Sequence, residues 1–374
     1  MIDLTNVVSV SDLYGNVVQI TDEAGNIIWA VQSDKPVILE VEKITSDTYA
    51  GETTYTGEEF ILLDIYPKTN GTVSVTYGGL TKTITDTSGA ESPNAQQVFF
   101  GTFNGVSDSV ATPASGTLTI EGDCRGFGVG AFKISNKGLT TRVFKIDAVI
   151  SFGKISEIPD LAFSGDVLTT DSSPKLTSVE IPSSVKRIGY YAFSYCKNLT
   201  TVNLTNGLKE IGAYAFIYTP LTKITIPRSV EIIGSNPFEG TSGNNIITIE
   251  DGNIAYKIDG NCLVETATKT LISGFNDSDI PSYISKIGST AFTDRGITSV
   301  ISPTGVTYIG SGAFNGCASL TEFIVLATTP PVLGSETAVK GDGVSPIVVP
   351  KGCGEVYKTA EYWSVYADRI VEVS

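Results

Sequence analysis

The side chains with the potential for catalysis in this chain of 374 residues include its 40 Asp and Glu residues but no histidine. The lack of histidine excludes Ser-His-Asp and Cys-His catalysis, histidine-ligated zinc and histidine pH switching. One catalytic chemistry that stays open is hydrolysis of a glycosidic bond by two carboxylates. So many acidic residues make chance pairs inevitable, and no spacing singles one pair out. A carbohydrate-active enzyme therefore stays an alternative, and no catalytic residue is predicted.

The cysteines and glycines indicate neither a metal site nor a phosphate loop. The five cysteines form no CxxC pair, and their odd number is spread through the chain, which is typical of neither a disulfide framework nor a zinc site. The glycine-rich segment GDCRGFGVGAFK at 122–133 lacks the GxxxxGKS/T spacing of a phosphate loop, so it is predicted to be a turn. No cofactor and no metal ion are expected.

Binding through aromatic side chains is the second kind of chemistry that the sequence supports. Five tyrosines fall in two short segments, at Tyr190, Tyr191, Tyr195, Tyr214 and Tyr218. Tyrosine combines a flat apolar face with a polar tip and loses little conformational entropy on binding. If the two segments stack, these rings form an exposed ladder that suits sugar rings or a protein partner. The alternative is an ordinary protein surface.

The elements that must position these tyrosines are repeats. In five copies an Ile-Gly pair stands shortly ahead of a Phe, as in Ile188-Gly189 before Phe193. Successive anchors are 23 and then 22 residues apart, which is the period of a solenoid coil. Each coil is predicted to add one short strand to a parallel ladder and to bury its Phe. Including a degenerate first copy, the anchors are Phe163, Phe193, Phe216, Phe238, Phe292 and Phe314.

One repeat copy carries a family resemblance. Residues 176–199 read LTSVEIPSSVKRIGYYAFSYCKNL and resemble the BspA-like class of leucine-rich repeat, LxxVxIPxSVxxIGxxAFxxCxxL. The resemblance extends over roughly residues 150–374. It implies a non-catalytic solenoid for adhesion and recognition, most familiar on the surfaces of anaerobic bacteria, without fixed catalytic or binding positions. Cys196 and Cys317 share one repeat position and are predicted to be small apolar fillers.

Two departures from the regular repeat are predicted to preserve the solenoid. Phe238 and Phe292 lie 54 residues apart, and turn signals at 251–253 and 259–261 predict a coil that bears a β-hairpin. At the C-terminus the sequence is similar to the family's cap pattern VPxxxxxxYKxAxxWxxYAxxI, with a helical stretch over 354–368 and a final strand. Trp363 and Tyr366 are predicted to be core residues of this cap.

The first 150 residues differ from the repeats. Residues 1–33 contain two related decamers with turns at Gly15-Asn16 and Gly25-Asn26, which predicts consecutive hairpins. The phrase ITDEAGNIIWAV resembles segments near the start of structural proteins of tailed bacteriophages and implies an assembly anchor, with a simple β appendage as the alternative. Residues 34–150 show alternating runs that predict an antiparallel immunoglobulin-like sandwich. These runs are 37–44, 60–66, 72–77, 80–85, 98–103 and 117–121.

Charge and hydropathy exclude two classes of partner. A net charge of −15 without a concentrated basic face argues against nucleic-acid binding. No apolar run approaches the length of a membrane span. No secretion signal is visible at the start, where the first basic residue is Lys35.

The sequence thus predicts a mainly β protein: a β anchor segment at 1–33, an immunoglobulin-like sandwich at 34–150, a leucine-rich-repeat solenoid at 151–326 and a cap at 327–374. The predicted function is non-enzymatic recognition on a phage virion, as a fibre, tail or capsid decoration that docks through residues 1–33 and binds a host-surface glycan or protein. The alternative is a BspA-type bacterial cell-surface adhesin. The ligand, homo-oligomer formation and the binding face of the solenoid stay open.

Overall fold

The fold is described from a computed structural model that covers the chain in segments. Residues 155–165, 176–241 and 246–373 are described continuously. Ahead of them the described residues are 8–11, 17–21, 27–30, 37–43, 60–67, 70–88, 96–103, 106–107, 115–122, 124–127, 133–136, 139–142 and 144–152.

Three short strands near the N-terminus form an antiparallel sheet. They are β1 Val8–Ser11, β2 Val17–Thr21 and β3 Ile27–Ala30. The pairing of β1 with β2 and of β2 with β3 agrees with the predicted succession of hairpins. The predicted turns at Gly15-Asn16 and Gly25-Asn26 lie outside the described residues.

Two larger antiparallel sheets follow. The strands of this region are β4 Val37–Lys43, β5 Phe60–Pro67, β6 Thr72–Tyr77, β7 Leu80–Thr85, β8 Gln96–Phe103, β9 Val106–Ser107, β10 Ser115–Gly122, β11 Cys124–Phe127, β12 Lys133–Asn136, β13 Leu139–Arg142 and β14 Phe144–Phe152. One sheet has the order β14-β4-β10-β6-β7, the other the order β11-β5-β8-β9, and β12 pairs with β13. Ile65 and Val98 of the second sheet share one buried apolar cluster with Val73, Val75 and Leu118 of the first, so the sheets form a sandwich.

The sandwich follows the alternating runs of the sequence, with two differences. Residues 124–127, within the segment predicted to be a turn, form β11 and pair with β5, so that prediction is wrong for these residues. The hydrogen bonds of a neighbouring strand decide this pairing, and a short glycine-rich run carries no alternation that would reveal it. Strand β14 continues to Phe152, past the predicted boundary at residue 150. The immunoglobulin-like assignment stays a prediction.

Each regular coil of the solenoid carries two parallel strands, whereas the sequence predicted one. Up to the insertion the strands are β15 Glu157–Ile158, β16 Ser178–Ile181, β17 Arg187–Ile188, β18 Thr201–Leu204, β19 Glu210–Ile211, β20 Ile224–Ile226, β21 Ile232–Ile233 and β22 Ile247–Ile249. The two-residue strands β15, β17, β19 and β21 form one parallel sheet, while β16 pairs with β18 and β20 with β22 on another side of the coil. Strands of two residues are too short to show an alternating pattern, which is why sequence reasoning missed them.

The Phe anchors form the centre of the solenoid, as predicted. All six are at most 1% exposed. The rings of Phe163, Phe193, Phe216 and Phe238 stack in nearly parallel planes, with centroids 5.0, 5.4 and 5.9 Å apart. The stack resumes between Phe292 and Phe314, whose centroids are 5.0 Å apart. The mainly β fold with a leucine-rich-repeat type of solenoid is confirmed.

The insertion forms the predicted hairpin-bearing coil, and the parallel ladders then continue. The strands are β23 Tyr256–Asp259, β24 Cys262–Glu265, β25 Thr270–Gly274, β26 Lys286–Ile287, β27 Ser299–Ser302, β28 Tyr308–Ile309, β29 Glu322–Val325, β30 Val332–Leu333 and β31 Ile347–Val349. Strands β30 and β31 extend the ladders beyond residue 326, so a further coil lies within the segment predicted to be the cap.

The C-terminal cap closes the core with aromatic side chains. It contains helix α1 Gly354–Thr359, a 3-10 helix Trp363–Arg369 and strand β32 Ile370–Glu372. Trp363 and Tyr366 are buried, as predicted, and the Trp363 Nε1–H donates to the carbonyl of Pro331 at 2.7 Å. None of the helices in the described segments is long and apolar enough to cross a membrane.

The shared cysteine position has a polar role that the prediction of apolar fillers missed. Cys196 and Cys317 are buried, and their thiols donate to the carbonyls of Phe163 at 3.0 Å and Phe292 at 3.1 Å, each in the preceding coil. Burial raises the pKa of the Cys317 thiol to about 12, so it keeps its proton at neutral pH. The position therefore links neighbouring coils as well as filling space.

Candidate functional site

The candidate site lies in the turn that holds each Phe anchor. From the Phe193 coil onward this turn has a left-handed backbone at two positions, two residues before and two residues after the Phe, and the turn of Phe163 has only the first of them. The positive φ angles before the Phe occur at Leu161, Tyr191, Tyr214, Asn236, Thr290 and Gly312. Those after the Phe occur at Tyr195, Tyr218, Gly240, Asp294 and Gly316. Glycine adopts this conformation freely, whereas any other residue is strained by roughly 1–2 kcal/mol.

Backbone hydrogen bonds hold successive turns in register. The N–H of Tyr191 donates to the carbonyl of Ala213 at 3.1 Å, and the N–H of Tyr195 donates to the carbonyl of Ile217 at 2.9 Å. These bonds superimpose equivalent turn positions of neighbouring coils. As a result the tyrosines fall into two short rows, one on each side of the Phe stack.

The tyrosine rings contact one another within each row. Tyr191 stacks on Tyr214 and Tyr195 stacks on Tyr218, with centroids 5.0 Å apart in both pairs. Tyr190 stands perpendicular to Tyr191 at 4.2 Å. We call the surface formed by Tyr190, Tyr191, Tyr195, Tyr214 and Tyr218 the tyrosine face.

The tyrosine face is less open than the exposed ladder that the sequence predicted. Tyr190 is 43% exposed, but the other four side chains are half-buried. The spacing between coils brings the rings into contact, so neighbouring rings cover one another's flat faces. Ring edges and hydroxyl groups are what the surface presents. The predicted binding role of these five residues stays a prediction.

Two tyrosine hydroxyls reach a coil that is distant in sequence. The Tyr218 hydroxyl donates to Oδ2 of Asp294 at 2.6 Å, and the Tyr214 hydroxyl lies 3.2 Å from Oγ1 of Thr290. Tyr218 can reach Asp294 because its ring passes over Gly240, where a Cβ atom would lie 2.2 Å from the ring. Burial and the bond to Asp294 raise the pKa of Tyr218. The hydroxyl is therefore a stable hydrogen-bond donor.

Sequence reasoning did not identify a buried carboxyl beside this face. Glu239 follows its Phe anchor directly and is 6% exposed. Burial and the nearby Asp294 raise the pKa of Glu239 to about 7, against the opposing effects of Arg295 and Asn236. The same two carboxyls raise the pKa of Tyr195, after burial as the main cause. The positions of Glu239 and Asp294 shortly after their Phe anchors are the sequence signal that could have revealed this cluster.

The chemistry of the site is that of hydrogen bonding and aromatic contact. Tyrosine hydroxyls donate, and the exposed carboxylate of Asp294 accepts. Within the described segments, three or more Asp, Glu or Cys side chains nowhere converge in an arrangement that could hold a metal ion. Such a surface is suited to recognition of a polar partner.

The period of about 22 residues, the parallel strands of each coil and the buried Phe stack define a leucine-rich-repeat solenoid. The family model of the BspA type leucine rich repeat region matches residues 169–276 and 272–332, with six copies. Residues 169–332 are therefore similar to the BspA type of leucine-rich repeat region.

Solved structures with similarity to the chain include three leucine-rich-repeat or surface proteins of bacteria. The pneumococcal vaccine antigen PcpA is similar over 53% of this chain and 55% of its own, with 21% identity and a TM-score of 0.44. A leucine-rich repeat protein from Eubacterium ventriosum is similar over 54% of this chain and 66% of its own, with 18% identity and a TM-score of 0.39. A leucine rich cell surface protein from Faecalibacterium prausnitzii is similar over 65% of this chain and 86% of its own, with 18% identity and a TM-score of 0.28. The comparison with curated proteins gives no match.

Proposed function

We propose that this protein is a non-enzymatic adhesin that displays its solenoid at a bacterial cell surface and binds a glycan or protein through the tyrosine face. The BspA-type repeat region supports this assignment, because such repeats are typical of surface recognition proteins. The solenoid fold also supports this proposal. Its stacked coils share one apolar interior, so sequence variation between coils is confined to surface positions.

The observation that carries the proposal is the strain at the tyrosine positions. Tyr191, Tyr195, Tyr214 and Tyr218 all have φ angles between 53° and 56°. The turn of Phe314 has glycine at 312 and 316, where this strain is absent, whereas the turn of Phe292 carries Thr290 and Asp294 at the same two positions. Each stacked pair contains two strained residues, so ring stacking of about 0.5–1.5 kcal/mol per pair offsets only part of roughly 2–4 kcal/mol of strain. The surface that the rings present is therefore the gain that favours tyrosine here.

The neighbouring polar groups indicate which partner fits. The tyrosine hydroxyls can donate hydrogen bonds, and the carboxylate of Asp294 can accept them. These polar groups lie beside the apolar edges of the rings. Sugars have the same mixture of hydroxyl groups and apolar C–H faces, and so do the polar surfaces of many proteins. The overall charge of −15 disfavours acidic partners such as sulfated or sialylated glycans.

A binding screen with tyrosine variants tests this proposal. The full chain is applied to an array of neutral and acidic glycans and to a panel of extracellular matrix proteins. Tyr195→Gly removes one ring and leaves a residue that the same turn position already has at Gly240 and Gly316, so the variant should fold. Tyr190→Ala removes the most exposed ring.

We expect each variant to weaken the binding of the partner found by at least about tenfold, as loss of an aromatic contact residue does. Tyr308→Ala, which removes a half-buried tyrosine of β28 outside the tyrosine face, is the matched control and should bind like the wild type. Unchanged affinity of both test variants for every partner found, with folding intact, would refute the role of the tyrosine face.

A second candidate is a component of a phage virion surface. It is favoured by the separate three-stranded sheet of β1, β2 and β3, and by the resemblance of this segment to phage structural proteins. Immunogold labelling of producing cells and of released particles separates the candidates. Label on the cell envelope supports the adhesin, and label on particles supports the virion component.

A further inference from the structure

The bonding between coils changes at one step of the solenoid. Elsewhere the backbone N–H of a Phe anchor donates to the next coil, as Phe216 donates to the Pro237 carbonyl at 2.9 Å and Phe292 donates to the Ala313 carbonyl at 2.7 Å. Within the described residues Phe238 makes no such bond. The carbonyl that it would use, on Ala291, accepts the N–H of Gly274 at 2.9 Å instead.

The apolar interior divides at the same step. One buried cluster contains the anchors from Phe163 to Phe238, and a second contains Phe292, Phe314 and Trp363. The sheet of two-residue strands ends at Ile233, whose N–H donates to the hydroxyl oxygen of Tyr256 at 2.7 Å instead of to a further strand. We call the coils of residues 155–241 the first block and the coils from residue 286 to the cap the second block. The contacts between the two blocks, made directly or through the inserted coil of residues 246–275, are the joint.

A buried arginine provides the main direct link between the blocks. Arg295 Nη1 donates to the carbonyl of Thr241 at 3.0 Å, and Nη2 donates to the carbonyl of Phe238 at 2.8 Å. The guanidinium lies 4.9 Å from the ring of Phe275 in the inserted coil. Its Nε has no hydrogen-bond partner among the described residues, and the side chain is 5% exposed. Taking a cation out of water opposes this arrangement, and burial lowers the pKa of Arg295 accordingly.

The other direct contacts between the two blocks are also polar and made by side chains, while the inserted coil adds backbone ladders to each block, through β22 to β20 and through β25 to β26. Asn236 Nδ2 donates to the carbonyl of Thr290. The hydroxyls of Tyr214 and Tyr218 bond to Thr290 and Asp294, which belong to the second block. Bonds of this kind contribute little net free energy, whereas a regular step combines backbone bonds with continuous apolar packing.

We propose that the joint is a built-in opening point, at which the two blocks separate as units at a free energy below that of global unfolding. A stack of coils is stabilised by nearest-neighbour contacts, so it opens first at its weakest interface. Opening separates Tyr214 and Tyr218 from their partners in the second block and so changes the shape of the tyrosine face. The opening itself does not depend on the proposed adhesive function.

Native-state hydrogen exchange of the full chain, without any ligand, tests the joint. The reporters at the joint are the amides of Ile233 and Gly274, and those inside the blocks are the amides of Phe216 and Phe314, all of which are hydrogen-bonded. We expect the joint amides to exchange at least about tenfold faster, with a weaker dependence on denaturant, because partial opening exposes less surface than unfolding. Equal exchange rates and equal denaturant dependence at the two sites would overturn the proposal.

Arg295→Met sharpens the test, because it removes both carbonyl bonds and keeps an apolar stem beside Phe275. We expect about tenfold faster exchange at Ile233 and Gly274, and less than about twofold change at Phe314. Cys196→Ala is the matched control, since it removes the corresponding carbonyl bond within the first block. It should leave the joint amides unchanged.

If Arg295→Met accelerated the hydrogen exchange of all four amides equally, the solenoid would open as one cooperative unit. This result would also overturn the proposed opening at the joint. If that variant does not fold, Tyr218→Phe removes only the bond to Asp294 and keeps the ring. It should accelerate the joint amides selectively, by a smaller factor.

Discussion

The two blocks of the solenoid have the same kind of interior and different surfaces. On the strand side, the outward position of the first block is polar, with Glu180, Asn203 and Thr225. The same position in the second block is apolar, and its cross-strand neighbours are Ile301, Ile324, Val348 and Val371. The inward positions beside them, such as Val179 and Val300, are apolar in both blocks.

In the turns the difference is the opposite, because there the first block carries the larger apolar side chains. The first block carries Tyr191, Tyr195, Tyr214 and Tyr218 at the left-handed positions, while the turn of Phe314 has glycine at 312 and 316. The comparison shows that the repeat period constrains which residues face the interior. Residues at outward positions can differ from one coil to the next. Function in such a protein is therefore to be found in the positions where otherwise equivalent coils differ.

The equivalence of the two interiors is tested by removing one ring from each block. Phe216→Ala and Phe314→Ala should each lower the free energy of unfolding by about 3–5 kcal/mol, because each leaves a cavity in a fully buried stack. Urea denaturation followed by circular dichroism measures both. Val332→Ala, at a side chain that is 63% exposed, is the control and should change stability by about 0.5 kcal/mol or less. A loss below about 1 kcal/mol in either Phe variant would contradict the shared interior.

The buried carboxyl of the first block predicts an unusual dependence of stability on pH. Burial and Asp294 raise the pKa of Glu239 from 4.5 to about 7, so the folded chain keeps this proton where the unfolded chain has released it. The favourable contribution is complete below pH 4.5 and is lost as the pH rises to about 7. Over this pH range the contribution of Glu239 to the free energy of unfolding falls by at most about 3 kcal/mol. Arg295 and Asn236 already oppose the shift, and Tyr195 and Tyr218 also face the cluster.

The measurement is urea denaturation at pH 5 and pH 8 for the wild type and for Glu239→Gln, which cannot ionise. The variant should lose most of this decline, so its stability at pH 8 should come close to its stability at pH 5. Glu361→Gln, at an exposed glutamate of the cap segment, should keep the decline of the wild type. The same profile in all three chains would show that Glu239 is not the titrating group.

The smallest expected effect comes from the glycines of the second block. At Gly316 a Cβ atom would lie 2.0 Å from Oδ1 of Asp294, and the φ angle is +73°. Gly316→Ala should therefore cost about 2 kcal/mol, since it adds displacement of the Asp294 carboxylate to backbone strain. Gly343 has a φ of +88° with no atom within 4 Å of an added Cβ, so Gly343→Ala should cost only about 1 kcal/mol of strain.

Thermal unfolding followed by calorimetry compares these two variants with the wild type. The larger loss at Gly316 would also be accompanied by a weaker Tyr218–Asp294 bond, visible in the near-ultraviolet tyrosine signal. Equal losses would mean that Asp294 moves aside without cost.

The strands and anchors that could be predicted are those with a local signal. Alternation identified β4 to β8 and β10 of the sandwich, and the recurring Ile-Gly and Phe positions identified the solenoid core. The paired glycines at 78 and 79, with φ angles of 59° and 80°, form the hairpin turn between the predicted strands β6 and β7, because glycine adopts the positive φ angles of such a turn. In each case neighbouring residues in the sequence determine the structure.

The site could be predicted only in part. The repeat register placed the five tyrosines in neighbouring turns, and the structure stacks them there. The contacts of Tyr214 with Thr290 and of Tyr218 with Asp294 span 76 residues and depend on how the inserted coil packs. No local pattern encodes such a contact, because its existence depends on the path of a hairpin between the two coils.

The sequence by itself determined the period, and with it the residues that face the interior, because apolar side chains at fixed spacing can leave water only by stacking. Only the tertiary structure decided which flat faces of the tyrosine rings are covered by neighbouring rings. It also decided that the Glu239 carboxyl is buried and at which coil the joint lies. These properties arise from distances between coils, which depend on the packing of the whole chain.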